Sequence, residues 1–283
     1  MRTIEREQVS RTVASLCMEA AHELPADVLR ALERAAQTES NPRAANLLRQ
    51  FVDNARIAAE DKIPLCQDTG LTVVFAEQGA QVVVSPDGGT LIDAIQEGVR
   101  AGYEAGFLRK SIVADPLGQR INTGTNTPAV VHLSIVPGDG LKLTVMAKGG
   151  GCENKSRFHM FRPTAERREV ADWIVEVVKA AGADACPPFV VGVGIGGSFE
   201  HCCLLSKKAL LRRLAEPNSD PFYAQMERDL LAQVNALGVG PQGLGGDTTA
   251  LAVLVETAPC HIASLPVAVN IECHSHRHKT AVL

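Results

Sequence analysis

Ile63-Pro64-Leu65-Cys66-Gln67-Asp68-Thr69-Gly70-Leu71-Thr72-Val73-Val74-Phe75-Ala76 is the stretch where the periodicity of this chain changes, and its reading decides the fold class. Upstream of it, Val13, Leu16, Cys17, Ala20, Ala21 and Leu24 recur at the i, i+3, i+4, i+7 spacing of one helical face. Asn41-Pro42 joins an N-cap residue to a proline at the first helical position. Behind it Leu47, Leu48, Phe51, Val52, Ala55 and Ala59 carry a second stripe to about Asp61. From Pro64 to Gly70 the chain reads as a turn, and residues 71–76 as a strand.

Working outward, residues 81–85 predict another strand and residues 90–105 a helix. Strands at 130–136 and 141–147 flank Pro137-Gly138-Asp139-Gly140, a hairpin signal. Beyond lie predicted helices at 166–181, 199–215 and 222–236, and strands at 189–194, 248–255 and 267–271. Helices and strands mix without a βαβ rhythm, so the expected class is α+β, not a doubly wound sheet. The expectation is one domain over residues 1–283, with a helical N-terminal segment (about 1–61) followed by mixed helices and strands. Neither an internal repeat nor a low-complexity linker divides it.

Apolar residues make up 46% of the 283 residues and charged ones 21%, the balance of an ordinary globular protein. The net charge of −4, with no block of like charges, argues against a nucleic-acid face or a polybasic membrane patch. The first residues carry Arg2, Glu5, Arg6 and Glu7 and lack the apolar core of a signal peptide. No uncharged run approaches the roughly 18 residues that span a bilayer. The expected location is cytoplasmic, or an organelle matrix in a eukaryote.

Eight cysteines are present, and in that compartment a disulfide framework is not expected. Each is then a small buried hydrophobe or a ligand. Four segments look too specific for plain connections: Cys66-Gln67-Asp68-Thr69-Gly70, Asn122-Thr123-Gly124-Thr125-Asn126, Lys148-Gly149-Gly150-Gly151, and Gly192-Val193-Gly194-Ile195-Gly196-Gly197. Glycines let a backbone approach a ligand and present N–H groups to an anion. The last segment matches G-x-G-x-x-G, but the acidic ribose partner of a dinucleotide site is missing from the next stretch, which offers Lys207, Lys208 and Arg212. Near the end, Cys260-His261 and Cys273-His274-Ser275-His276-Arg277-His278 raise the alternative of a zinc-binding structural protein, although no C-x-x-C occurs.

Cys66-Gln67-Asp68-Thr69-Gly70, Asn122-Thr123-Gly124-Thr125-Asn126 with Pro128, Lys148-Gly149-Gly150-Gly151, Cys186-Pro187-Pro188, and Cys273 with Arg277 occur in the order seen in the class I, oxygen-sensitive fumarate hydratases and the related L-tartrate dehydratases. The chain resembles that family from about Ile63 to Arg277, roughly three quarters of its length. Any one motif would be weak; the set in register is specific. The resemblance implies a reversible hydration of fumarate to malate, or the dehydration of L-tartrate as the alternative.

In that family three cysteines hold a [4Fe-4S] cluster, and the matching positions are Cys66, Cys186 and Cys273. Three thiolates leave one iron open as a Lewis acid. Cys152 stands where relatives often carry serine and is read as a non-ligand; Cys17, Cys202, Cys203 and Cys260 are assigned to the core. The resemblance places Gln67 and Asp68 on the substrate, Asp68 as a proton-transfer group. Asp68 also suits an Asx turn ahead of Thr69-Gly70. Arg109 matches a carboxylate-clamping arginine, and a solvated charge beside Lys110 is the plainer reading. Lys148, Gly149 and Gly150 would meet a second carboxylate, and His261 matches a family histidine at the substrate. His276 and His278 are read as a solvated tail. In single-chain relatives a further domain follows the third cysteine. The chain is therefore expected to be an alpha subunit in a hetero-oligomer, its active site completed by a separate beta subunit across an apolar, partly charged face.

Overall fold

The structure, a computed structural model, describes residues 1–85 and 89–283. Strand β1 (Arg2–Ile4) leads into helices α1 (Arg6–His22), α2 (Ala26–Thr38) and α3 (Pro42–Asp61). Next come β2 (Leu71–Gly79), β3 (Val82–Val84), α4 (Leu91–Ala105), β4 (Val130–Val136) and β5 (Leu141–Lys148). Short α5 (Gly150–Glu153), β6 (Arg157–Phe161), α6 (Arg167–Ala181), β7 (Phe189–Gly196) and α7 (Phe199–Ala209) follow. The chain ends with α8 (Pro221–Asn235), β8 (Ala250–Ala258), β9 (Leu265–Glu272) and β10 (His278–Val282). The class is α+β, as expected. Helix starts follow local chemistry. Asn41 Oδ1 accepts from the N–H of Arg43 at 3.0 Å, and Thr90 with Asp93 forms a capping box for α4.

The chain divides into two compact units, each drawn from separated segments. The first comprises Met1–Pro25, Ala55–Gly150 and Arg277–Leu283. Its sheet runs β10-β5-β2-β4, with β4 parallel to β2 and β5 and β10 antiparallel to their neighbours. The expected hairpin between β4 and β5 does not form, because β2 lies between them. The reason lies in the loop: Gly138 and Gly140 offer their carbonyls to the N–H groups of Gln81 and Gly79 and so straddle the end of β2. Burial decides the order, since β5 is almost wholly buried and takes the interior while β4 is largely exposed. Val13, Leu16, Val74, Ile95, Val99, Leu143 and Val145 form the core beneath α1 and α4. The C-terminal residues are likewise no solvated tail. Residues 278–282 pair with β5, and Arg277 is 1% exposed.

The second unit comprises Ala26–Asn54 and Gly151–His276. Its sheet runs β6-β9-β7-β8. Phe189, Val191, Val193, Val255, Val267 and Ile271 are wholly buried, joined from one side by Ile174 and Val178 of α6. Fully burying such side chains contributes about 1.5–3 kcal/mol each. Helix α7 crosses β7 at the glycines that invited a nucleotide reading. A Cβ at Gly192 would lie 2.1 Å from the Ser206 carbonyl oxygen, and one at Gly194 2.2 Å from that of Cys202. Those glycines are there because helix and strand backbones touch. Helix α7 also stops earlier than the periodicity predicts: Arg212 turns away to Glu227 Oε1 at 2.6 Å and to the Val255 carbonyl at 3.0 Å. Strand β6 went unpredicted because its side chains are mostly exposed and carry no apolar run.

Candidate active site and thiol cluster

In the first unit the Cys66–Gly70 turn precedes β2 and is braced from several sides. The Tyr103 hydroxyl donates to the carbonyls of Thr69 at 2.7 Å and Gly70 at 3.1 Å. Burial pushes the Tyr103 phenol up, so it stays a neutral donor. Thr69 Oγ1 donates to the Arg109 carbonyl at 2.8 Å, which sets the 108–111 segment beside the turn. Asn126, fully buried, accepts from the Ser111 N–H at 2.7 Å and donates to the Gly70 carbonyl at 3.2 Å. Its place in the Asn122–Asn126 motif is thus structural. Gly70, with φ of +81°, lies against β5, where an added Cβ would be 2.8 Å from the Lys148 nitrogen.

The braced turn gathers the predicted groups of this unit. The Asp68 N–H donates to Cys66 Sγ at 3.4 Å, a backbone donor of the kind that supports a ligating sulfur. Asp68 Oδ1 accepts from the Gly70 N–H at 3.0 Å, the Asx turn, and Oδ2 accepts from the Gly150 N–H at 2.9 Å. The Asx and active-site readings of Asp68 are therefore compatible, one per oxygen. Arg277 donates through Nη2 to the Asp68 carbonyl at 2.8 Å. Lys148 and Gly149 are buried; Gly150, Gln67 and Arg109 are exposed. A glycine N–H holding a carboxylate next to a lysine-bearing strand end is a place where a carboxylic acid can bind.

In the second unit Cys186 follows a 3₁₀ turn and adopts φ of +57°, a left-handed conformation unusual for a non-glycine residue. It is fixed from outside. Its carbonyl accepts from the His274 N–H at 3.4 Å and lies 3.1 Å from His274 Nδ1, and the His274 ring stacks on Phe51 at 3.8 Å. The segments of Cys186 and Cys273 are thus tied together. Cys152, Glu272 and Cys273 present ligand atoms within 4.8 Å of one another, and Cys152 Sγ lies 3.7 Å from the Ala185 carbonyl. This neighbourhood was invisible in the sequence, where Cys152 is far from both partners. Soft sulfur donors in a buried setting fit iron–sulfur ligation.

His261 is not brought to Cys273. It lies in the exposed loop before β9, its Nδ1 accepting from the Ala263 N–H at 3.1 Å, while Cys273 follows the other end of β9. An eight-residue strand separates them, roughly 25 Å at the usual rise. Of the cysteines assigned to the core, Cys17 and Cys202 are buried and burial pushes each thiol up to about 12. Cys203 is half-buried, and Cys260 is exposed, because the β8–β9 connection that carries it lies outside the sheet. His276, expected to be solvated, is fully buried with Nε2 2.7 Å from the Leu210 carbonyl.

The sequence profile described as "Fumarate hydratase (Fumerase)" matches residues 10–282. A protein of Methanocaldococcus jannaschii named "Putative L(+)-tartrate dehydratase subunit alpha" is 39% identical over 274 residues, covering 95% of each chain. The "L(+)-tartrate dehydratase subunit alpha" of Escherichia coli strain K12 is 30% identical, covering 98% of this chain and 91% of its own. That of Shigella sonnei stands at the same 30% identity and coverage. The family profile and these relatives make the chain one of the hydro-lyases. The chain belongs to the fumarate hydratase (Fumerase) family, whose profile covers nearly all of it.

Proposed function

We propose that this chain is the alpha subunit of a [4Fe-4S]-dependent hydro-lyase that interconverts fumarate and malate, its active site completed by a separate beta subunit. Cys66, Cys186 and Cys273 would hold the cluster, which when bound supplies an iron corner acting as a Lewis acid toward the substrate's oxygens. Hydration adds a hydroxyl to one alkene carbon and a proton to the other. Asp68 is the proton-transfer group of this chain, with Oδ2 next to the Gly149–Gly150 backbone. Lys148 and the N–H groups of Gly149 and Gly150 would receive one substrate carboxylate, and Gln67 and Arg109 would bind and orient the remainder. His261 takes part only if a partner chain or another segment meets its loop.

The observation that carries this reading is the Gly150 N–H on the Asp68 carboxylate, two residues from Cys66. A backbone group already holding a carboxylate is fitted to exchange it for that of a substrate. L-Tartrate is the second reading, favoured by the names of the relatives; the two substrates differ by hydroxylation of one dicarboxylate frame. The alpha-subunit designation of those relatives supports a beta subunit here. No helix of the described residues is long and apolar enough to cross a membrane.

The test is anaerobic reconstitution with iron and sulfide, alone and with the candidate beta subunit, followed by rates on fumarate, malate and L-tartrate. A brown protein with about four irons per chain is expected, active only as the pair. A colourless protein carrying about one zinc would overturn the reading.

A further inference from the structure

We propose that the outer edge of β4 is a self-pairing surface through which two copies of this chain join their sheets across a two-fold axis at Leu133.

The hydrogen-bond pattern fixes which groups of β4 face outward. In a parallel pair, each residue turns its N–H and C=O to the same side, and successive residues alternate. Val136 offers its carbonyl to the Ala80 N–H at the end of β2, so Val136, Ser134 and His132 face β2. Val131, Leu133 and Ile135 therefore face away, and β4 is the last strand of its sheet. The residue before the strand confirms the alternation. Ala129 faces outward too, and there the Gln96 side-chain amide mimics a neighbouring strand: it donates to the Ala129 carbonyl at 3.0 Å and accepts the Ala129 N–H at 2.7 Å. No described group does the same for Val131, Leu133 or Ile135.

Native sheet edges are ordinarily blunted by lysine, proline or another charge. The edges β6, β8 and β10 follow that habit with Arg157, Glu256 and Lys279. β4, Val130-Val131-His132-Leu133-Ser134-Ile135-Val136, has no lysine, arginine, carboxylate or proline. It exposes Val130 at 41%, Leu133 at 43% and Ile135 at 63%. On the helix side of the sheet Leu133 shares a groove with Val83 and Ile92, which are also exposed. An apolar, ungated, outward-bonding edge is built to be covered.

What covers it follows from the order of residues, which reads nearly the same in both directions. Antiparallel pairing centred on Leu133 sets Val130 against Val136, Val131 against Ile135, His132 against Ser134, and Leu133 against itself. Every apolar residue meets an apolar one and every polar residue a polar one. The outward-facing residues 131, 133 and 135 fall in the register where each opposed pair exchanges two N–H···O bonds. A contact of this kind is isologous, the self-complementary form of a two-fold dimer. A foreign strand would not require such symmetry.

The experiment uses the full chain, alone and with the candidate beta subunit. Light scattering should give a dimer at micromolar concentration, and Leu133→Lys, which opposes two like charges on the axis, should give a monomer with an unchanged circular dichroism spectrum. Two cysteine substitutions keep the test independent of charge effects on folding. Leu133→Cys should form a reducible dimer on mild oxidation above the background of the unsubstituted chain, and Val130→Cys, whose copies are displaced along the strands, should not. A monomeric unsubstituted chain, a dimer that survives Leu133→Lys, cross-linking equal at both positions, or a one-to-one complex with the beta subunit that shields β4 would each overturn the proposal.

Discussion

Asp68 uses its two carboxylate oxygens differently, one for the turn and one at the place proposed for the chemistry. Oδ1 closes the turn on Gly70 and Oδ2 reaches Gly150. Asp68→Asn keeps the size of the side chain and one acceptor oxygen for the turn, and removes both the charge and the acceptor that faces Gly150. The reconstituted pair should keep its iron while kcat falls by about 10²–10⁴-fold, the range for losing a proton-transfer group. Cysteine substitutions separate ligands from neighbours. Cys66→Ser, Cys186→Ser and Cys273→Ser should each lose iron on colorimetric assay, and Cys152→Ser should retain it. Because Cys152 lies beside Cys273 and Glu272, iron lost in Cys152→Ser but kept in Cys186→Ser would transfer the ligand role to Cys152. At the surface of the first unit Glu23 bridges Lys62 at 2.7 Å and Lys279 at 3.0 Å, and those hydrogen bonds lower its carboxyl from 4.5 to about 2. A depressed carboxylate stabilises the fold above its ordinary value and stops doing so as the pH falls through the window from 4.5 to about 2. Glu23→Gln should therefore cost of order 1 kcal/mol at neutral pH, the partial exposure screening the pair. In thermal melts the two proteins should converge near pH 2.

Among the elements, the contact of α7 with β7 is the most exacting. Gly192 and Gly194 let the helix carbonyls of Ser206 and Cys202 come within reach of the strand. Gly194→Ala cannot be relieved by a side-chain rotation, since the obstruction is backbone. It should lower Tm by well over 5 °C or abolish soluble expression, on the scale of an overpacked core. Added NAD should not stabilise the unsubstituted protein, because the glycines are filled by helix. The same glycines illustrate what the sequence conceals: G-x-G-x-x-G looks alike whether the backbone approaches a phosphate or another backbone. Helix starts were legible because their caps are local, as at Asn41 and Thr90. The place of β5 inside its sheet was not, because a turn signal records a reversal of direction and says nothing of which strand enters between.

For the whole molecule, a cluster bound by the folded state adds its binding free energy to stability. Air exposure of the reconstituted enzyme should bleach its broad visible absorption, release iron, abolish activity and lower Tm. Anaerobic iron and sulfide should restore all four. Loss of activity without iron release would count against an exposed cluster corner. Of the candidate residues, Cys66, Asp68 and Lys148 belong to the first unit, and Cys186 and Cys273 to the second.

By itself the sequence determined the α+β class, most helix boundaries and the turn from Cys66 to Gly70. Those depend on side-chain periodicity and on caps and turns that act over a few residues. Its motif order also carried the family resemblance. Only the tertiary structure decided that Cys152 lies against Cys273, that His261 and Cys273 occupy opposite ends of β9, that His276 and Arg277 are buried, and that β4 is an open edge. Such adjacencies join residues far apart along the chain. They are selected by which apolar surfaces are buried together, a property of the assembled core and not of any local window.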